Sequence, residues 1–237
     1  MTDSDLIRSR AAALRGAIAA AAATSGRAAD AVTLVAVTKT HPVETVRAAL
    51  AAGLTDLGEN RVQEMVQKAD ALGPDGAADV RWHLIGALQR NKARDAVRVA
   101  DLVHGIDSVR LAEAVGAKAV EAGRVVPVLV QVNISGEMSK SGVAPEAAHD
   151  VMATVAGVAG LRLTGLMGIA APARDAAEAE QTVRPAFRRL RALFDAYAGP
   201  GRDALAVVSM GMSGDLEMAV EEGATLVRVG TALFGPR

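Results

Sequence analysis

Lys39 is the residue whose type and position most clearly suggest covalent chemistry. It directly follows the apolar run Leu34–Thr38, in a segment that continues Lys-Thr-His-Pro to Pro42. A lysine whose pKa is lowered by partial burial can attack a carbonyl group and form a Schiff base, which arginine cannot do. An ordinary loop lysine in a surface ion pair fits the same position equally well. The surroundings of Lys39 must therefore decide between the two.

Lysine is used sparingly, because the chain has only five lysines among its 26 basic residues. Lys68 and Lys118 fall in predicted helices, and Lys92 follows the third predicted strand into another helix. Only Lys39 and Lys140 fall in loops at the ends of predicted strands. These loops are where a reactive amine would reach a ligand.

Two small-residue loops near the C-terminus have the composition of a phosphate-binding site. The first reads Ser-Met-Gly-Met-Ser-Gly-Asp from Ser209 to Asp215, and the second is Gly230 followed by Thr231. Glycine lets the backbone approach a ligand closely, and backbone N–H groups bind phosphate well. Ser213 also stands where a helix N-cap belongs, so capping alone could explain it.

Three further polar residues lie in or directly after predicted strands. Arg228 interrupts the apolar run Leu-Val-Arg-Val, where a guanidinium needs a fixed partner, either a structural carboxylate or a ligand atom. Asn60 follows the second strand and, with Gln63, also fits a capping box. His83 lies within the third strand and could equally be a hydrogen-bonded core histidine. The four histidines have no ligand-like spacing, so no metal site is predicted.

The elements that must position these residues alternate along the chain. Short β-branched runs are each followed by an alanine-rich segment of helical period, which predicts a parallel sheet, either closed or open. An additional helix over about Ser4–Ala23 comes first. The count of eight strands and the uniform composition favour a single α/β domain over residues 1–237, a (β/α)8 TIM barrel whose active face is built from the loops after the strands. The predicted strands are Leu34–Thr38, Leu54–Gly58, Arg81–Ile85, Leu102–Ile106, Val126–Ile134, Leu161–Met167, Leu205–Ser209 and Thr225–Val229.

Composition narrows the function classes. Half of the residues are apolar but few are aromatic, which predicts a core of Ala, Val and Leu and argues against base-stacking surfaces for nucleic acid. The net charge of −1 gives no electrostatic footprint for nucleic acid or an acidic membrane. The chain has no cysteine and no uncharged apolar stretch near the roughly 18 residues that span a bilayer. We therefore expect a soluble, cytoplasmic protein, and nothing demands more than a monomer.

The motifs together resemble the pyridoxal 5′-phosphate (PLP) homeostasis protein family, which is related to the N-terminal barrel of alanine racemase. The resemblance covers nearly the whole chain, and several spaced motifs in the right order make it more specific than any single one. The matching segments are Ala36-Val-Thr-Lys-Thr, Gly58-Glu-Asn-Arg-Val-Gln-Glu, Trp82-His-Leu-Ile-Gly with Leu88-Gln and Asn91-Lys, Asn133-Ile-Ser with Lys140-Ser-Gly, Gly165-Leu-Met, Gly211-Met-Ser and Val227-Arg-Val-Gly-Thr-Ala-Leu-Phe-Gly.

The resemblance implies a PLP site. Lys39 would carry the Schiff base, Arg228 would face the pyridine nitrogen and Asn60 would lie near the ring. The two small-residue loops would hold the phosphate, and Lys140 matches a second lysine of the family that is sometimes discussed as an alternative acceptor. The predicted cofactor-binding residues are Lys39, Asn60, His83, Met212, Ser213, Arg228, Gly230 and Thr231.

The function implied by the resemblance is holding, buffering and delivering PLP, with little or no turnover and with apo PLP-dependent enzymes as candidate recipients. An arginine cannot give up its proton to the ring nitrogen, which weakens PLP as an electron sink. Racemases with this feature use a second-domain tyrosine as a second base. Here the one tyrosine is Tyr197, in a predicted helix, and the sequence stops directly after the barrel. Two alternatives stay open: a PLP-dependent racemase-like enzyme, and a Schiff-base aldolase that uses Lys39 without PLP.

Overall fold

The computed structural model describes residues 3–77, 79–137, 140–199 and 205–235, and its strands close into a parallel barrel. Each strand pairs with the next one along the chain, and the last pairs with the first through the register of Thr33 with Leu226. The prediction of an eight-stranded barrel is thereby confirmed. The strands are β1 (Thr33–Val37), β2 (Asp56–Glu59), β3 (Arg81–Leu84), β4 (Leu102–Ile106), β5 (Val126–Val132), β6 (Leu161–Gly168), β7 (Val207–Ser209) and β8 (Leu226–Val229).

Helices follow the strands, and the predicted additional N-terminal helix is present. Glycines with positive φ stand directly after several helices, as at Gly53, Gly123 and Gly223, because only glycine adopts this conformation without strain. The helices are α1 (Asp3–Thr24), α2 (Val43–Ala51), α3 (Val62–Ala77), α4 (Ala93–Val99), α5 (Val109–Glu121), α6 (Ala148–Ala156), α7 (Ala176–Tyr197), α8 (Leu216–Glu221) and α9 (Thr231–Phe234). Across the residues given above, no helix is long and apolar enough to cross a membrane.

The barrel separates two apolar layers. The larger layer lies between the strands and the helices and is built mainly from Ala, Val and Leu, as composition predicted. The smaller one lies inside the barrel and is formed by Val35, Leu102, Leu129, Met167 and Leu226. Other side chains that point into the barrel are polar. Five of these are buried and matter for the site: Asp56, His83, His104, Ser209 and Arg228.

The first helix is tied to the last elements of the chain. Arg10 Nη1 donates to the Leu233 carbonyl at 3.0 Å. Just after α1, Arg27 Nη1 donates to the Ala224 carbonyl at 2.9 Å, and Nη2 donates to the Val220 carbonyl at the end of α8. These bonds brace the seam at which β8 meets β1.

Candidate functional site

A cavity of about 520 Å³ opens among the loops that follow the strands. This is the face on which a barrel of this type carries its active site. Lys140, the second lysine singled out in the sequence, lines the cavity too. Of the eight residues predicted to bind a cofactor, seven line this cavity: Lys39, Asn60, Met212, Ser213, Arg228, Gly230 and Thr231.

The loop that carries Lys39 is held on both sides of that residue. Before it, Thr38 Oγ1 donates to Glu59 Oε1 at 2.6 Å. After it, the backbone N–H of Thr40 donates to Glu64 Oε1 at 2.5 Å. Thr40 has a φ of 67°, a left-handed conformation that costs a non-glycine residue about 1–2 kcal/mol. The flanking bonds offset this strain and fix the half-buried Lys39 at the rim of the cavity.

A buried ion cluster also holds the same loop in place. Lys68 Nζ donates to Glu59 Oε1 at 2.6 Å, to Glu64 Oε1 at 2.7 Å and to the Thr38 carbonyl at 2.7 Å. Burial raises the pKa of Glu59, although hydrogen bonds from Lys68 and Thr38 act in the opposite direction. Sequence reasoning missed this cluster. Only the four-residue spacing from Glu64 to Lys68 on α3 signals part of it.

Ser213 connects the two small-residue loops: its hydroxyl binds the first turn of α9 and not α8, the helix that follows it in the chain. Helix α8 begins at Leu216, and the residue at its N-cap position is Asp215, which makes no side-chain capping bond. Instead, Ser213 Oγ accepts a hydrogen bond from the backbone N–H of Ala232 at 3.3 Å. The capping explanation for Ser213 is therefore wrong. The hydroxyl is an acceptor in the Ala232 bond, so that bond does not consume its own hydrogen.

The two loops pack closely on neighbouring elements at their glycines, on α8 at Gly211 and on β1 at Gly230. Gly211 has a φ of 91°, and a Cβ atom added there would lie 2.5 Å from the Cβ of Ala219. A Cβ on Gly230 would lie 3.3 Å from the carbonyl oxygen of Val37. The loop after β7 is further fixed by the Met212 N–H, which donates to an Asp215 carboxylate oxygen at 2.5 Å. Backbone and hydroxyl donors thus converge on one side of the cavity.

Arg228 lines the cavity and is 4% exposed. Its Nη1 donates to Ser209 Oγ at 2.5 Å and its Nη2 to the Gly168 carbonyl at 3.0 Å. Burial lowers the pKa of Arg228 to about 10, so the guanidinium stays charged at neutral pH. Both acceptors are uncharged, and among the described residues no carboxylate pairs directly with it. The structural-carboxylate explanation is therefore wrong for a direct ion pair, although the charge of Asp215 raises the pKa of Arg228 from a longer distance. A guanidinium has N–H groups beyond the two used here.

His83 is the predicted site residue that does not line the cavity. It is buried within the barrel, where Nε2 lies 3.0 Å from Asp56 Oδ1 and Nδ1 lies 3.1 Å from His104 Nε2. This is the environment of a hydrogen-bonded core histidine. Sequence reasoning gave His104 no role, although its place between Leu102 and Ile106 in an apolar strand signals an inward-facing polar group.

The donor set can hold an anionic carbonyl compound. It combines an amine at the rim, a buried guanidinium, and hydroxyl and backbone N–H donors on two neighbouring loops. Within the described ranges, no group of three or more His, Asp or Glu side chains is placed to bind a metal ion.

Known proteins are similar to this chain in sequence and in architecture. Residues 12–237 match the family model for the alanine racemase N-terminal domain. The chain is 43% identical over 218 residues to the pyridoxal phosphate homeostasis protein of Pseudomonas aeruginosa, covering 92% of this chain and 90% of that protein. The Escherichia coli K12 protein of the same name is 40% identical, with 94% of each chain covered. PipY of Synechococcus elongatus PCC7942 with PLP bound is 36% identical, with a TM-score of 0.80 over 97% of this chain and all of that one. This chain belongs to the pyridoxal phosphate homeostasis protein family.

Proposed function

We propose that this protein binds PLP through Lys39 and takes part in PLP homeostasis by holding the cofactor and buffering or delivering it inside the cell. The proposal treats the whole chain as one domain that acts as a cytoplasmic monomer. The observation that carries it is that an amine and a convergent set of phosphate-type donors line one cavity. The names of the curated relatives and the PLP-bound PipY structure support the same cofactor.

The residues of the cavity fit PLP by their chemistry. PLP supplies an aldehyde that condenses with a lysine amine with loss of one water. Lys39 provides that amine at the rim, and the hydroxyls of Ser213 and Thr231 can donate to a phosphate. Gly230 lines the cavity beside Thr231, and the absence of a side chain lets its backbone lie close to β1. Arg228 can only donate, so a ring nitrogen beside it would be held as an unprotonated acceptor.

Two features support a carrier more than an enzyme. A permanently donating Arg228 disfavours the protonated ring that makes PLP a strong electron sink. The one tyrosine of the sequence, Tyr197, is buried on α7 with its ring centroid 5.6 Å from that of His149, and it does not line the cavity. We therefore propose that α-proton transfer from amino acids is negligible.

The proposal is tested by locating the covalent bond. The protein is incubated with PLP, reduced with borohydride and digested, and the pyridoxyl group is located by mass spectrometry. We expect the label on Lys39, its loss in Lys39→Ala, and its retention in the matched variant Lys140→Ala. Label on Lys140 in the wild type would reassign the anchor, and an unlabelled, colourless protein would overturn the proposal.

The racemase alternative is tested separately. The PLP-loaded protein is incubated with amino acids in D₂O, and deuterium at the α-carbon is followed by NMR. We expect no exchange above that of free PLP. Exchange that depends on protein and is lost in Lys39→Ala would show an enzyme.

A further inference from the structure

Five buried polar side chains form a continuous series across the inside of the barrel, here called the interior network: Asp56, His83, His104, Ser209 and Arg228. Asp56 Oδ1 lies 3.0 Å from His83 Nε2, and His83 Nδ1 lies 3.1 Å from His104 Nε2. His104 Nδ1 lies 3.0 Å from Ser209 Oγ, which accepts from Arg228 Nη1 at 2.5 Å. The series runs from β2 through β3 and β4, and then crosses the barrel to β7 and β8.

The two ends of the interior network differ in what they can donate. Arg228 is a donor only, so Ser209 Oγ must accept from it. Asp56 is an acceptor: burial raises its pKa, but hydrogen bonds from His83 and Arg81 outweigh this and the net pKa is lowered. Arg81 Nη2 binds the other carboxylate oxygen at 2.7 Å. His83 Nε2 must therefore carry the proton in its bond to Asp56.

The proton positions on Ser209 and His104, in the middle of the network, follow from the donor and the acceptor at its two ends. Ser209, having accepted from Arg228, can donate its hydroxyl proton to His104 Nδ1. His104 then carries its proton on Nε2 and donates to the unprotonated Nδ1 of His83. Burial, together with the positive charge of Arg228 nearby, holds the pKa of His104 well below its usual value, which agrees with a neutral ring. Every hydrogen bond thus points the same way.

The opposite arrangement leaves a proton without an acceptor. If His83 were doubly protonated, it would donate to His104 Nε2, and His104 would donate from Nδ1 to Ser209. Ser209 Oγ would then accept twice, and its own proton would have no acceptor among the hydrogen bonds of the described residues. A second cation, His83, would also join Arg228 in the barrel interior, where Asp56 is the one carboxylate hydrogen-bonded to the network and Asp215 acts on Arg228 only from a longer distance. Both features are costly in a buried site.

We infer that Asp56, His83, His104 and Ser209 are positioning residues that orient Arg228 toward the cofactor cavity through one directional hydrogen-bond network, with both histidines neutral and protonated on Nε2. The network connects two separate cavities of the barrel. Arg228 lines the cofactor cavity, whereas Asp56 and Arg81 line a separate cavity of about 380 Å³. The orientation of Arg228 toward a bound ring rests on the proposed function, but the protonation pattern of the network does not.

The protonation pattern can be measured without PLP. Protein labelled with ¹⁵N-histidine and freed of PLP is studied at neutral pH by long-range ¹H–¹⁵N NMR, with His83→Gln and His104→Gln used to assign the signals. We expect the Nε2–H tautomer for both residues. A proton on Nδ1 of His104, or a doubly protonated His83, would overturn the inference whether or not the protein binds PLP.

The effect on Arg228 is measured by PLP affinity in Ser209→Ala. We expect affinity to fall roughly three- to tenfold, because Arg228 loses one of its two fixed acceptors. His149→Gln is the control, since His149 binds the Leu193 carbonyl outside the network, and its affinity should stay within about twofold of wild type. Thermal unfolding confirms that both variants are folded. Unchanged affinity in folded Ser209→Ala would contradict the positioning role, whereas failure of the wild type to bind PLP would contradict the proposed function alone.

Discussion

Ser213 and Ser108 both precede helices, but their hydroxyls serve different partners. Ser108 caps α5 by accepting from the Leu111 N–H at 3.3 Å, whereas Ser213 accepts from Ala232 and lines the cavity. We expect Ser213→Ala to weaken PLP binding by about 1.5–3 kcal/mol, the contribution of a hydrogen bond to a charged group. The stability of the variant should change little, because α8 loses no cap and the exposed Ala232 N–H of α9 can bind water in place of the hydroxyl. PLP titration and denaturant unfolding measure the two effects.

Ser108→Ala is the matched control for that prediction. Removing its capping bond should lower the free energy of unfolding by about 1 kcal/mol while leaving PLP affinity unchanged. The prediction for Ser213 would be contradicted if Ser213→Ala behaved like Ser108→Ala, with a loss of stability and normal binding.

At the residue scale, the sequence identified the groups at the cavity better than the groups beneath it. Lys39, Ser213 and Thr231 stand in loops after strands, so strand prediction alone brings them to the same end of the barrel. His83 and His104 are 21 positions apart, and they meet only because β3 and β4 are neighbours with both side chains pointing inward. Such a contact depends on register, which strand prediction within a few residues cannot supply.

At the element scale, the turn after β1 depends on helix α3. Lys68 on α3 forms ion pairs with both Glu59 and Glu64, the carboxylates that bind Thr38 and Thr40. Lys68→Met should lower the free energy of unfolding by about 3–5 kcal/mol, because a buried carboxylate loses its cation. Amide hydrogen exchange at Thr40 should also become faster, since the Glu64 carboxylate is no longer held in place.

Two variants separate this ion cluster from a general effect of losing a lysine. Lys118→Met removes an exposed pair with Glu121 on α5 and should change stability by less than about 0.5 kcal/mol. Adding Glu59→Gln to Lys68→Met should recover part of the lost stability, because the uncompensated charge is removed. No recovery would show that the cost comes from packing of the lysine side chain.

Element boundaries were predicted less well than element order, for a local reason that is visible at β2. The predicted strand begins at Leu54, but the observed strand begins at Asp56. The Leu54 N–H instead donates to the Ala49 carbonyl at 3.0 Å, and the Gly53 N–H donates to the Leu50 carbonyl at 2.8 Å. These two bonds form the C-terminal cap of α2, so a buried leucine that looks like a strand residue belongs to the end of the preceding helix.

At the scale of the whole molecule, closure of the barrel brings the two ends of the chain together. Thr225, directly before β8, joins both neighbouring strands: its carbonyl accepts from the Thr33 N–H of β1 at 2.9 Å, and its N–H donates to the Val208 carbonyl of β7 at 3.0 Å. Arg27, just after α1, adds to these bonds because it binds the carbonyls of Ala224 and Val220, which lie shortly before β8. Closure contributes to the stability of the barrel, because an open edge strand would leave a row of backbone N–H and C=O groups unpaired.

Arg27→Gln should therefore weaken the whole barrel and not only its seam. We expect the free energy of unfolding to fall by about 1–3 kcal/mol, from the loss of charge-assisted bonds to two carbonyls. Trp82 is the one tryptophan of the sequence and lies on β3, three strands away from β8, so its fluorescence reports on a distant part of the barrel. The fluorescence and far-UV circular dichroism transitions in denaturant should shift together, whereas the exposed Arg94→Gln should shift neither. A loss of circular dichroism that precedes the Trp82 transition would mean that the seam opens independently, and that closure is not what makes the barrel cooperative.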